Sequence, residues 1–255
     1  MDFPRESWEL MKTLAEADPA APTACSRWTV HDLVAHLAAG AKENADLMED
    51  ALAGRPTRAT RPFAEREPAF VALPDDELRH ELIHQSSRKL AALQELSAKG
   101  TDATYQFTGR PFTAALADTH ARSEAAIHRW DIAGDDETSM ELLAAPELTA
   151  HAVEILNTLP MLCEAPYSRA RAAQVDELRI VLRARDVPDV VMDIAADGAR
   201  FDITDSADGD AVVETDAAHR LLALWGRHPK GHAVTVTADP KLWSSVAEVL
   251  WKATP

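Results

Sequence analysis

Three stretches of this sequence carry side chains whose types and spacing suit chemistry. In ADTHARSEAAIHRWD, His120, Glu124 and His128 stand four residues apart. Four residues advance an α-helix about 40° beyond a full turn, so neighbours in this series share a face, roughly 6 Å apart at Cβ. A Glu and a His so placed can both reach one ion, and a third ligand from another helix would fix that ion in a bundle core. In WTVHDLVAHLAAG, His36 sits at the edge of an apolar stripe and is a candidate for the third ligand. DDELRHELIHQSS places His80 and His84 at the same spacing, but among so many polar residues that an exposed helix face is the better reading. Spacing alone leaves His120 open as a fourth ligand, an outer donor or a surface residue. A Glu–His pair on an acidic helix is also commonly no more than a solvated pair.

The ligand types favour zinc. Imidazole and carboxylate suit Zn²⁺, and a catalytic zinc keeps three protein ligands and one open position. The same set also suits Fe²⁺, Ni²⁺ or Mn²⁺. A small thiol in the open position would lose its proton at neutral pH and become a nucleophile. The chain has two cysteines, Cys25 and Cys163, far apart and without CxxC spacing. Neither a disulfide scaffold nor a thiolate zinc site is expected, so a reacting thiol would come from a small molecule. Arg129 and Asp131 flank the ligands as candidates to support them from behind, although Asp131 offsetting Arg129 is the better reading, and Trp130 is expected to pack.

The elements that must position these groups are helical up to about residue 162. Five helices are expected: about Arg5–Ala17, Val30–Leu52 with Thr29 as N-cap, Asp75–Ala98, Thr113–Ala133 and Glu147–Cys163. In the second, Val30, Leu33, Val34 and Leu37 have the spacing of one buried face. Gly54–Leu73 is a long loop. From Glu177 onward the pattern alternates, with strands expected at Glu177–Asp186, Val190–Ala195, Ala199–Thr204 and Ala233–Ala238. A helix in DAAHRLLALWGRH ends at Gly226, and a last helix opens at Asp239-Pro240. The fold class is α+β: a helical bundle over residues 1–165 and a smaller α+β domain over 174–255, joined near Ala165–Ala173. The formal net charge is -16, which disfavours nucleic acid and anionic lipid as partners. No apolar run is long enough to span a bilayer, and MDFPRESWELMK lacks the apolar core of a signal peptide, so a cytoplasmic protein, monomeric or homodimeric, is expected.

WTVHDLVAHL resembles the second-helix signature of DinB-like metal-dependent bundles, and more narrowly of the mycothiol-dependent maleylpyruvate isomerase family. EAAIHRWDIAG is similar to that family's second ligand segment. The resemblance implies an antiparallel bundle in which His36, Glu124 and His128 bind zinc, with water or the thiol of mycothiol completing the shell. It also implies a C-terminal domain of sterol-carrier-like shape, in which an Arg after a helix-ending Gly reaches the active site; LLALWGRH supplies Gly226 and Arg227. A plain helix end is the competing reading of that dipeptide. The implied function is a mycothiol-using isomerase or thiol S-transferase acting on an electrophilic small molecule, with Arg227 holding a carboxylate or a developing enolate. The alternative is a non-catalytic protein that carries a small ligand and a structural or vestigial metal.

Overall fold

The computed structural model describes residues 3–25, 27–158, 170, 174–227 and 234–251. Cys163 and most of the expected linker at Ala165–Ala173 lie outside them. The chain divides into two compact units at Ala133/Gly134.

The first unit is helical. It comprises α1 (Arg5–Glu16), α2 (Val30–Leu52), the short α3 (Phe63–Arg66) and α4 (Pro68–Val71), α5 (Asp75–Ala98), a hairpin of β1 (Thr104–Phe107) and β2 (Arg110–Thr113), and α6 (Ala114–Ala133). Its core gathers Leu10 and Leu14 from α1, Leu33, Val34 and Ala38 from α2, Leu78 and Leu82 from α5, and Ala125 from α6. The start of α2 is fixed chemically. Thr29 accepts a hydrogen bond from the Asp32 amide, and the Asp32 carboxylate accepts one from the Thr29 amide. Such reciprocal caps stabilise a helix end by about 1 kcal/mol and set the phase of every later residue.

The hairpin is not among the expected elements. Its turn holds Thr108 at φ 47° and Gly109 at φ 88°. Two successive positive φ values are what a tight two-residue hairpin turn requires, and the steric cost to Thr disguises the turn in the sequence. The expected loop Gly54–Leu73 contains α3 and α4 and is tied to α2. Glu43 is fully buried. It accepts hydrogen bonds from Arg58 Nη1 at 2.6 Å, from the Arg61 amide at 2.8 Å and from Arg61 Nε at 2.7 Å. Farther on, His31 Nε2 lies 3.1 Å from the Val71 carbonyl.

The second unit contains α7 (Glu137–Leu143), α8 (Pro146–Thr158), β3 (Leu178–Ala184), β4 (Asp189–Ala195), β5 (Gly198–Thr204), β6 (Ala211–Thr215), α9 (Ala217–Leu224), β7 (Thr235–Ala238) and α10 (Trp243–Trp251). The sheet runs β5-β4-β3-β6-β7. All pairings are antiparallel except β3 with β6, which is parallel. Within the second unit α8 packs on β5 and α9. Asn157 shows why. Its amide group donates to the Phe201 carbonyl at 2.6 Å and accepts from the Phe201 amide at 2.9 Å, standing in for a sheet neighbour on edge strand β5. Strand β6 is likewise absent from the expected elements, being a short apolar run between acidic segments. Among the described residues, no helix is long and apolar enough to cross a membrane.

Burial alone would raise the Glu43 pKa, but the bonds from Arg58 and Arg61 reverse this and hold it below the usual carboxylate range. A lowered pKa means that the stabilisation is complete above that range and is lost as pH falls through it. Glu43→Gln is therefore expected to destabilise the protein by about 2 kcal/mol at pH 7, the two Arg partners being partly solvated. In urea melts the gap from the parent chain should narrow as pH drops below the ordinary carboxylate range.

Candidate metal centre

The capped start of α2 puts His36 on the side of that helix turned toward α6, at the margin of the buried stripe formed by Val30, Leu33 and Val34. On α6, Glu124 and His128 are one turn apart. The structure brings the three together: one ligand atom from each of His36, Glu124 and His128 lies within 4.8 Å of the other two. The His36 and His128 rings meet edge to face, with centroids 5.4 Å apart. His128 Nε2 is 3.6 Å from Glu124 Oε2. That is long for a hydrogen bond, and close to the roughly 3.3 Å that separates two ligands of one tetrahedral zinc.

Both imidazoles are oriented from behind. His36 Nδ1 is 2.6 Å from Glu67 Oε1, and His128 Nδ1 is 2.8 Å from Asp131 Oδ2. With each Nδ1 bonded to a carboxylate, Nε2 is the nitrogen left for an ion, and the ring is made more basic. Glu67 comes from the junction of α3 and α4, inside the segment expected to be a plain loop. Asp131 stands in the site beside His128, three residues earlier on the same helix face. Trp28, just ahead of the α2 cap, lies over both rings, at centroid distances of 4.8 Å from His36 and 6.4 Å from His128. Phe63 of α3 meets the His36 ring edge-on at 5.2 Å. Cys25 Sγ lies 3.3 Å from Asp131 Oδ2.

The electrostatics follow from these contacts. Burial pushes the His36 pKa down, against the opposing bond to Glu67. Burial also disfavours charged His128, but the contacts with Asp131 and Glu124 prevail and raise its pKa to about 9. Burial would raise the Glu124 pKa, yet the adjacent histidines hold it well below the usual range. Glu124 is thus ionised and ready to ligate. Two imidazoles and one carboxylate form a donor set that suits a divalent cation.

The other candidates fall elsewhere. His120 packs against Phe107 and Phe112, with ring centroids 5.8 Å away in each case. It is not part of the three-residue cluster, and burial lowers its pKa. His80 and His84 are exposed on α5. Arg227 belongs to the second unit, directly after Gly226, whose φ of 74° closes α9. Its Nη1 donates to the Trp225 carbonyl at 3.1 Å. Glu67, Trp28 and Phe63 are the site residues that sequence reasoning missed. For Trp28 the signal was its place just before the helix cap, while Glu67 and Phe63 carried none beyond the length of their loop.

A helical bundle with a partly buried His–Glu–His cluster, in a chain with a separate sheet-containing unit, defines the class. Residues 2–133, more than half of the chain, match the family described as mycothiol maleylpyruvate isomerase N-terminal domain, and the chain belongs to that family. Two solved structures share the fold: the mycothiol-dependent maleylpyruvate isomerase at 20% identity, and a histidine-to-alanine variant of it at 18%. Both have a TM-score of 0.61, with 90% of this chain and 88% of theirs covered. No curated protein sequence matches.

Asp131→Asn removes the charged acceptor behind His128 while keeping its size. It is expected to weaken divalent-cation binding about 10–100-fold, as measured by competition with a chromophoric chelator.

Proposed function

We propose that the chain is a metal-dependent enzyme, with zinc the preferred ion, that uses mycothiol as a nucleophile toward an electrophilic small molecule. It would act as a maleylpyruvate isomerase-like isomerase or as a thiol S-transferase, working in the cytoplasm. His36, Glu124 and His128 are the metal ligands in this reading. The observation that carries it is the convergence of these three side chains, from two separate helices, with a carboxylate behind each imidazole. Family membership supports the thiol and the reaction class. Among the described residues the cluster supplies three ligands, the number that a catalytic zinc uses when one position is kept for water or substrate.

A divalent ion held by His36, Glu124 and His128 would supply Lewis acidity that favours the thiolate form of a small thiol. The protein's own groups do the rest. Glu67 and Asp131 fix the tautomer and direction of the two rings. Trp28 packs against the His36 ring and reaches the His128 ring, which gives the site an apolar side where charges act through a lower dielectric than in water. The thiolate sulfur bonds to an electron-poor carbon of an activated alkene. If the former double bond then rotates and the sulfur departs with its electron pair, the product is the geometric isomer. If the sulfur stays and carbon takes up a proton, the product is a conjugate. Arg227 is assigned, as a proposal, to a carboxylate or enolate oxygen of the substrate, where a charged donor stabilises the developing negative charge.

His36→Ala and Glu124→Ala should each lose bound zinc by elemental analysis and lose thiol conjugation with it. Full zinc stoichiometry in both variants would overturn the ligand assignment. Arg227→Met is expected to keep its zinc and to lower kcat/KM about 100-fold. A rate equal to that of the parent chain removes Arg227 from the mechanism.

A further inference from the structure

Two sets of ligand atoms meet at His128. Its Nε2 lies 3.6 Å from Glu124 Oε2, in the cluster completed by His36. Its Nδ1, on the other edge of the ring, lies 2.8 Å from Asp131 Oδ2, and Cys25 Sγ approaches that same oxygen at 3.3 Å. One ligand atom from each of Cys25, His128 and Asp131 lies within 4.8 Å of the other two, as in the His36–Glu124–His128 cluster. His128 and Asp131 are buried, and Cys25 is half-buried.

These separations are close to those of an ion's ligands. Two ligand atoms of one tetrahedral zinc stand roughly 3.3–3.6 Å apart, the larger figure for a pair that includes sulfur. The sulfur–oxygen distance falls in that range, and the nitrogen–oxygen distance would open by about half an ångström around an ion. The sulfur is held in place by the backbone. The Ala24 amide donates to the Asp131 carbonyl at 2.7 Å, and the Trp28 amide donates to the Cys25 carbonyl at 2.9 Å. The turn that carries Cys25 is thus tied to α6 on one side and to the Trp28 that packs on His36 on the other. Sequence spacing hides the arrangement, because Cys25 and Asp131 are 106 residues apart.

With no ion bound, the Cys25 thiol and the His128 Nδ1–H both donate to one carboxylate oxygen. A divalent cation can take the place of those two protons without changing the net charge. The S–H and N–H bonds break, sulfur and nitrogen each bond to the ion through the freed electron pair, and both protons pass to solvent. Thiolate, imidazole and carboxylate then supply three ligands. The thiolate selects a soft or borderline ion over magnesium or calcium.

We propose that Cys25, Asp131 and His128 form a second cation site, for a divalent ion of the zinc or cadmium class, which shares His128 with the His36–Glu124–His128 cluster. His128 offers Nε2 to one cluster and Nδ1 to the other. The site stands on its own three residues and does not depend on the enzyme reading above.

The test is a titration of the full chain with cadmium chloride. It is read by the sulfur-to-metal charge-transfer band in the ultraviolet, and by the rate at which iodoacetamide alkylates Cys25, followed by peptide mass spectrometry. Cadmium is expected to raise the band and to slow alkylation of Cys25 at least about tenfold, because a thiolate bonded to a metal is withdrawn from attack. Cys25→Ser should lose the band, and Cys163→Ser, which changes the chain's other cysteine, should keep it. His36→Ala, which breaks only the first cluster, should keep it as well. No band and an unchanged alkylation rate in the parent chain at saturating cadmium would overturn the proposal. The alkylation readout needs no variant, so it decides the matter even if Cys25→Ser does not fold. A band that persists in Cys25→Ser overturns the proposal too, and loss of the band in His36→Ala overturns the separate site by showing a single ion that draws Cys25 into the first cluster. Absence of zinc from the first cluster, with the cadmium band and its loss in Cys25→Ser intact, would defeat the earlier ligand assignment and leave this site standing.

Discussion

Two short contacts, His36 Nδ1 to Glu67 at 2.6 Å and His128 Nδ1 to Asp131 at 2.8 Å, organise everything around the cluster. An imidazole in a protein interior has two nitrogens and can turn about its side-chain bonds, so burial alone leaves open which nitrogen faces which neighbour. A carboxylate behind each ring removes that freedom and makes the opposite nitrogen the better donor. Burying four ionisable groups together is unfavourable unless they compensate one another. Here they do so in pairs, and the cluster is compact enough for Glu124 to stay ionised between the two histidines. The secondary structure serves these contacts. The Thr29–Asp32 cap fixes the rotational phase of α2, the i, i+4 and i, i+3 spacings place Glu124, His128 and Asp131 on one side of α6, and α3 and α4 deliver Glu67.

What could be read in the sequence was what depends on local spacing. The long helices, the Thr29 cap, the Glu124–His128 pair and the division into a helical part and a strand-containing part follow from periodicity, capping chemistry and β-branched runs. The contact of Asp131 with His128 is legible in its spacing. Residues two apart on a helix, such as Arg129 and Asp131, point to different sides, whereas residues three apart, such as His128 and Asp131, share one. Glu67 could not be found in this way, because it meets His36 across 31 residues of chain and only the packing of the intervening segment brings the two together. The packing of α8 is hidden for a similar reason. The apolar face of α8 would suit a bundle or a sheet equally well, and the amide group of Asn157, which decides the matter, bonds to a backbone 44 residues away. The β1–β2 hairpin is obscured by a threonine in a conformation that threonine seldom adopts.

The acidic balance of the chain and the interior of the bundle point in opposite directions. The surface carries the excess of carboxylates, most of them solvated or matched by arginines. The cluster has aromatic rings from Trp28 and Phe63 packed against its imidazoles. A low-dielectric lining strengthens every charge within it. The overall charge therefore says little about what the interior would accept.

Between α2 and α5, the stretch from Arg58 to Glu67 is held to α2 near both of its ends. Arg58 and Arg61 grip Glu43, and Glu67 grips His36. Glu43 and His36 are seven residues apart on one helix, two turns and roughly 10 Å along the same face. The stretch from Arg58 to Glu67 thus works as a strap buckled at both ends, and its length in residues is a mechanical dimension of the protein. Adding or deleting a single residue between the buckles would leave all three cluster side chains in the sequence, yet would slide the carboxylate away from its ring. Related chains could therefore vary freely in the length of Gly54–Thr57, which lies outside the strap, while the distance from Arg61 to Glu67 would be held constant. A loop that looks dispensable would then be gauged as strictly as a helix.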